Sequence, residues 1–234
     1  MGRSRVAMGG LFRLGTLGWR MTGESARDAT VALYADYVCP FCYLGKQSFE
    51  RFRAGSGLDL AVDWHPFDLR SHERGPDGDL DTAVDDGKDE AYFDRVREQV
   101  QRLRDEFGAT DMLGIDDVPD VDSLDAQVAS HYVQEAHPGT WADFDAALYA
   151  ALWEDGRDIG DRDVLATVGE SVGLDGGDVR AAVASEDRRA AVFEAFDAAQ
   201  ARGVTGVPAF VANGQTVRGA VPPNRLADLV GQMG

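Results

Sequence analysis

Cys39 and Cys42 are the only cysteines in the 234-residue chain, and they stand in Cys39-Pro40-Phe41-Cys42. Two thiols at this spacing can do disulfide chemistry, because one thiolate can attack a partner disulfide and the other can resolve the adduct. The motif follows the apolar run Val31-Ala32-Leu33-Tyr34-Ala35 and opens a helix-like stretch. With Cys39 at the helix N-cap and Pro40 at the first helical position, backbone N–H groups and the positive dipole end face the sulfur. Cys39 is therefore expected to titrate below the free-thiol value of about 8.5. Cys42, one turn on, is expected to be more buried and to release the mixed disulfide. Pro40 and Phe41, between the two, are expected to tune redox poise and to meet substrate. Two other readings exist. A C-x-x-C can be half of a zinc site, but zinc wants four ligands, and His65, His72, His131 and His137 are scattered along the sequence. The pair could also be inert and buried. No metal site is expected.

A second element is Gly206-Val207-Pro208-Ala209. Proline just before a strand removes a ladder donor. A cis Val207–Pro208 bond would leave the Val207 backbone facing outward beside the cysteines, where substrate backbone could add as a strand. Smaller candidates are Asp36, three residues before Cys39, and His65, either of which could tune the thiols. Lys46, one turn past Cys42, reads as packing its stem or pairing with an acid.

The surrounding elements place these residues. Asp59 to Trp64 alternates as a second strand, and Pro40 to Phe52 keeps a helical period through Phe41, Leu44, Phe49 and Phe52. Strand–helix–strand in so short a span predicts a parallel pair. Ser71 to Lys88 reads as a charged loop, and the strand signal then vanishes for more than a hundred residues. Helices are predicted from the period of Tyr92, Val96, Val100, Leu103 and Phe107, of Trp141, Phe144, Leu148 and Leu152, and of Val164, Leu165, Val168 and Val172, the last capped by Asp161. Val179 to Val183 and the face of Val192, Phe193, Phe196 and Ala199 give two more. Ser123 to Glu135 is a weaker pattern. Ala209 to Ala212 and Gln215 to Gly219 are strands joined by the hairpin turn Asn213-Gly214, and Pro222 to Val230 closes as a helix.

Composition bounds the rest. The net charge of −18 and pI near 4.5 argue against a nucleic-acid partner. No apolar stretch is long enough for a membrane span. The acids are 30 Asp against 11 Glu, and Lys46 and Lys88 are the only lysines. Such a surface resembles that of proteins adapted to molar salt, where the Debye length shrinks to about 3 Å and self-repulsion is screened; an acidic docking face is the alternative. Residues 1–27 are basic and Gly-rich, with no A-x-A cleavage site or paired arginines, and read as an unstructured leader, or as the product of an upstream start codon chosen in error, rather than as a signal. A cytoplasmic location is expected.

Cys39-Pro40-Phe41-Cys42-Tyr43-Leu44-Gly45-Lys46, Trp64-His65-Pro66-Phe67-Asp68-Leu69, Asp158-Ile159-Gly160-Asp161 and Gly203-Val204-Thr205-Gly206-Val207-Pro208 together resemble the DsbA family, and within it the FrnE-type subgroup. The resemblance runs from about residue 30 to the end. It implies an α/β thioredoxin-like fold with a large α-helical insertion, the thioredoxin part being 28–70 plus 204–234 and the insertion 71–203. It implies a nucleophile at Cys39, a resolving thiol at Cys42 and a cis proline at Pro208. The implied partners are disulfide-containing proteins or small-molecule thiols, handled by a monomer or homodimer. No cofactor is implied beyond the Cys39–Cys42 disulfide and a small thiol. The same superfamily holds 2-hydroxychromene-2-carboxylate isomerases and kappa-class glutathione transferases, which typically carry Ser at the first active-site position. An enzyme of that kind is the alternative, although Cys39 and Cys42 favour dithiol redox chemistry.

Overall fold

The structure is a computed structural model that describes residues 29–231 except 76, 82, 85 and 86. The expected leader 1–27 lies outside the described residues.

Strand β1 (Ala29–Ala35), helix α1 (Pro40–Ser56) and strand β2 (Leu60–Pro66) form the βαβ unit that the hydrophobic periods predict. The two strands are parallel, with Leu33 beside Trp64 and Tyr34 beside His65. Helix α1 ends at Gly57, whose φ of +67° suits the left-handed cap. At the far end of the chain, β3 (Ala209–Ala212) and β4 (Gln215–Arg218) flank Asn213 and Gly214 at φ +54° and +74°, the backbone that a two-residue hairpin turn requires. Strand β3 runs antiparallel to β1, so the sheet order is β2-β1-β3-β4. Helix α8 (Pro223–Gly231) returns against α1.

Between β2 and β3 lie α2 (Glu90–Phe107), α3 (Leu124–Ala136), α4 (Trp141–Trp153), α5 (Arg162–Ser171), α6 (Gly176–Val183) and α7 (Glu186–Ala201). This is a thioredoxin-like fold with a helical insertion. The weakly patterned segment from Ser123 is a full helix, α3, and Val128, Ala129 and Val133 are buried along it. Asp161 caps α5 by accepting from the Asp163 and Val164 amides at 2.7 and 3.3 Å. The α2 stripe holds from Val96 onward. Val100, Leu103 and Phe107 are buried and Val96 is partly buried against the same core, whereas Tyr92 is 39% exposed.

The two faces of the sheet are covered differently. Val31, Leu33 and Trp64 join α1 and the insertion helices in one large core. Tyr34 and Ala209 pack on the other face with Ala199 of α7 and Val204. By packing, then, α7 covers the sheet although it falls within 71–203. The charged loop after β2 is anchored by Arg74, which is almost fully buried and reaches Asp68 at 2.6 Å and Asp122 at 2.7 Å. Among the described residues, no helix is long and apolar enough to cross a membrane.

Candidate active site

A four-residue turn carries the chain from β1 into α1. The Cys39 amide donates to the Asp36 carbonyl at 3.2 Å and closes it, and the Cys42 and Tyr43 amides donate back to the Cys39 carbonyl at 2.9 and 3.3 Å. Cys39 is the extended N-cap, Pro40 opens the helix, and no side chain caps its amides. Both cysteines are free thiols and both are buried. Burial pushes the Cys42 thiol well up, and the hydrogen bond to Cys39 and the Cys39 charge push it the same way. Cys42 therefore holds its proton until a base removes it.

The second half of the site comes from the other end of the chain. Strand β3 pairs Ala209 with Tyr34, which brings the residues just before β3 over the start of α1. Val207–Pro208 is the one cis peptide bond among the described residues. The Cys39 thiol donates to the Val207 carbonyl, with Sγ at 3.8 Å. Pro208 is buried, and its carbonyl accepts from the Gly219 amide at 2.8 Å. Pro40, Phe41 and Val207, close to Cys39 in sequence or through its hydrogen bond, are half-buried.

Asp36 lies beneath the dithiol and is 1% exposed. Its Oδ1 accepts from the Ser123 hydroxyl at 2.6 Å and the Val38 amide at 3.3 Å, and its Oδ2 accepts from the Leu69 amide at 2.9 Å. Burial pushes its carboxyl from 3.8 up to about 6; the hydrogen bonds from Ser123 and Leu69 oppose that, and nearby Asp68 adds to it. Asp36 also acts on Cys42, whose proton its charge helps to retain. The Asp36 carboxyl thus titrates near neutrality, and its charge is felt at Cys42.

The insertion braces this segment through α4. The Tyr37 hydroxyl donates to Asp145 at 2.9 Å and is 2.7 Å from the Ser130 hydroxyl, which also accepts from the Trp141 indole at 3.0 Å. Lys46 pairs with the other oxygen of Asp145, so the lysine pairs with an acid rather than only packing its stem. The Trp153 indole donates to the Tyr37 carbonyl at 2.8 Å, and the Tyr43 hydroxyl donates to Glu154 at 2.9 Å. Tyr149 fills the space between, with its ring centroid 4.7 Å from that of Tyr37 and 6.2 Å from that of Tyr43. Residues on both sides of the cysteines are thus tied to one insertion helix.

Not every sequence candidate comes to this place. His65 does not join the dithiol. It stacks on Tyr34 with centroids 4.7 Å apart and meets Asp63 at 3.0 Å. Alternation along β2 explains this: Trp64 and Pro66 point into the main core, so His65 points to the α7 face. Trp64 is core, as expected, and Phe67 is partly buried. Ser123, Tyr37, Asp145 and Tyr149 were not legible as site residues. One signal existed for Asp145: it lies on the apolar stripe of Trp141, Leu148 and Leu152, where an acid must find a partner. Among the described residues, no three His, Cys, Asp or Glu side chains group to hold a metal ion.

The chain is similar to known proteins over most of its length. The uncharacterized Bacillus subtilis protein YwbO is 29% identical over 194 residues, covering 81% of this chain and 90% of its own. A crystal structure of a probable DsbA oxidoreductase from Streptomyces coelicolor superposes with TM-score 0.67 at 24% identity, covering 87% of this chain and 89% of that one. A 2-hydroxychromene-2-carboxylate isomerase superposes with TM-score 0.64 at 22% identity, covering 88% and 94%. At these identities the two structures speak for the fold alone. The family model of the DSBA-like thioredoxin domain matches residues 30–231, so the chain belongs to that family.

Proposed function

We propose that the protein is a thiol–disulfide oxidoreductase that works through Cys39 and Cys42. In the reductive direction, the Cys39 thiolate attacks a substrate disulfide and forms a mixed disulfide, and the first substrate thiolate leaves. Cys42 loses its proton and attacks the Cys39 sulfur of that adduct. The second substrate thiolate leaves, and the Cys39–Cys42 disulfide remains. The substrate has gained two electrons and the enzyme dithiol has lost them; oxidation of a substrate dithiol is the same sequence reversed.

The observation that carries this reading is the meeting of a paired thiol at a helix N-terminus with the Val207 carbonyl, 3.8 Å from Cys39 Sγ. Negative charge develops on Cys39 during exchange, where the amides and dipole of α1 favour it. The Val207 backbone edge offers substrate a strand-like partner beside the sulfur. Asp36, whose carboxyl titrates near 6 and whose charge acts on Cys42, is the base that this reading assigns to the Cys42 proton. Substrates on this reading are protein or peptide disulfides, and a small thiol such as glutathione serves as the electron source. The likeness to the isomerase speaks for a shared fold, and the second thiol at Cys42 favours dithiol exchange.

The test is exchange with a disulfide-linked peptide. Wild type should accelerate it and Cys39→Ser should fall to the uncatalysed rate. Cys42→Ser should accumulate a mixed disulfide on Cys39, seen by mass spectrometry. Equal rates for wild type and Cys39→Ser would end the proposal.

A further inference from the structure

Gly45 lies one turn past Cys42, buried in α1. A Cβ at this position would stand 2.8 Å from Pro208 Cγ, 3.5 Å from Pro208 Cβ and 3.5 Å from Phe210 Cζ. Carbon atoms in contact settle at about 3.5–4.0 Å, so any side chain here must drive the proline ring away. Neither α1 nor Phe210 of β3 gives easily. Helix α1 is held by Lys46 to Asp145, by Tyr43 to Glu154, and by the Ser48 hydroxyl donating to the Val221 carbonyl at 2.6 Å. Phe210 is fully buried and stacks on Phe49 with centroids 5.6 Å apart. The displacement must then fall on the segment before β3, which contains Gly203 at φ +78° and Gly206.

We infer that Gly45 is a positioning residue: its missing side chain admits the Pro208 ring against α1 and so sets the Val207 carbonyl beside Cys39 Sγ. Helix propensity alone would favour Ala over Gly inside α1. Gly55, in the same helix, has nothing within 4 Å of its Cβ position and makes an internal control. Displacing the loop by the order of 1 Å misaligns substrate and sulfur, and such shifts cost up to about a hundredfold in rate.

The inference rests on the exchange activity proposed above only for its kinetic arm. Gly45→Ala should lower kcat/KM for a disulfide-linked peptide at least about tenfold, while Gly55→Ala leaves it unchanged. Pro208→Ala removes the Cγ atom, so adding Gly45→Ala in that background should have little further effect. A second readout needs no activity: hydrogen exchange at the Gly219 amide, which donates to Pro208 at 2.8 Å, should speed up in Gly45→Ala and not in Gly55→Ala. If wild type shows no exchange activity, the proposed function fails and the amide readout still judges Gly45. If Gly45→Ala does not fold, Gly45→Ala/Pro208→Ala should recover folding. Wild-type kinetics and amide exchange in Gly45→Ala would overturn the inference. So would a kinetic loss that persists undiminished without the Pro208 ring, or a double variant that also fails to fold.

Discussion

Asp36→Asn isolates the buried carboxyl beneath the dithiol. Burial raises this group from 3.8 to about 6, against the hydrogen bonds it accepts. The native state therefore holds the proton more tightly than the unfolded chain does. By linkage, the stability from Asp36 is fully present below about pH 4 and is lost as pH rises through about 6. At about 1.36 kcal/mol per pH unit, the ionised group costs the folded protein about 3 kcal/mol. Asparagine keeps the shape. Its oxygen can accept from Leu69 and its amide can donate to a rotated Ser123 hydroxyl, leaving only the 3.3 Å Val38 contact unmade. Weaker hydrogen bonds take back about 1 kcal/mol. The variant should thus be about 2 kcal/mol more stable than wild type at pH 8 and about 1 kcal/mol less stable at pH 3. Urea denaturation of both reduced proteins across that range reads the difference directly, and effects common to the other acids cancel. In the same variant, resolution of the mixed disulfide by Cys42 should slow at pH 7, since no carboxylate remains to take its proton. A stability difference that stays flat with pH would refute the reasoning.

Other perturbations reach the brace and the surface. Lys46→Met leaves Asp145 buried without its cation and should destabilise by about 3–5 kcal/mol in urea titration; Lys46→Met/Asp145→Leu should recover more than half of that, and equal loss in both would contradict a charge-based cause. The acidic surface should gain stability as salt shortens the Debye length from about 10 Å at 0.1 M to about 3 Å at 1 M, so the thermal midpoint should rise with potassium chloride. A midpoint that falls would count against the salt-adapted reading of the 30 aspartates.

Local signals carried much of the fold. The Cys39-Pro40-Phe41-Cys42 turn, the Asn213-Gly214 hairpin and the Val207-Pro208 step each depend on backbone preferences of a few adjacent residues, and each is legible as a string. What escaped is non-local. Ser123 reaches Asp36 across 87 positions and Tyr37 reaches Asp145 across 108, so nothing in either neighbourhood marks the pairing. His65 was misplaced because alternation fixes which residues share a face but not which face meets the cysteines. Tyr92 keeps the helical period yet is exposed, since a period describes a stripe and not how far its cover extends. Gly45 stands within the motif from Cys39 to Lys46, yet nothing local marks its approach to Pro208, which comes from the far end of the chain.

The central claim is that Cys39 and Cys42 form one redox couple. Equilibrating the protein against graded ratios of reduced and oxidised dithiothreitol, then alkylating free thiols and counting them by mass spectrometry, tests it most directly. The account predicts that both thiols disappear together, as a single two-electron transition in which about 30 mV changes the ratio tenfold. Two thiols that remain alkylatable across the whole range, or that are lost independently of one another, would contradict it.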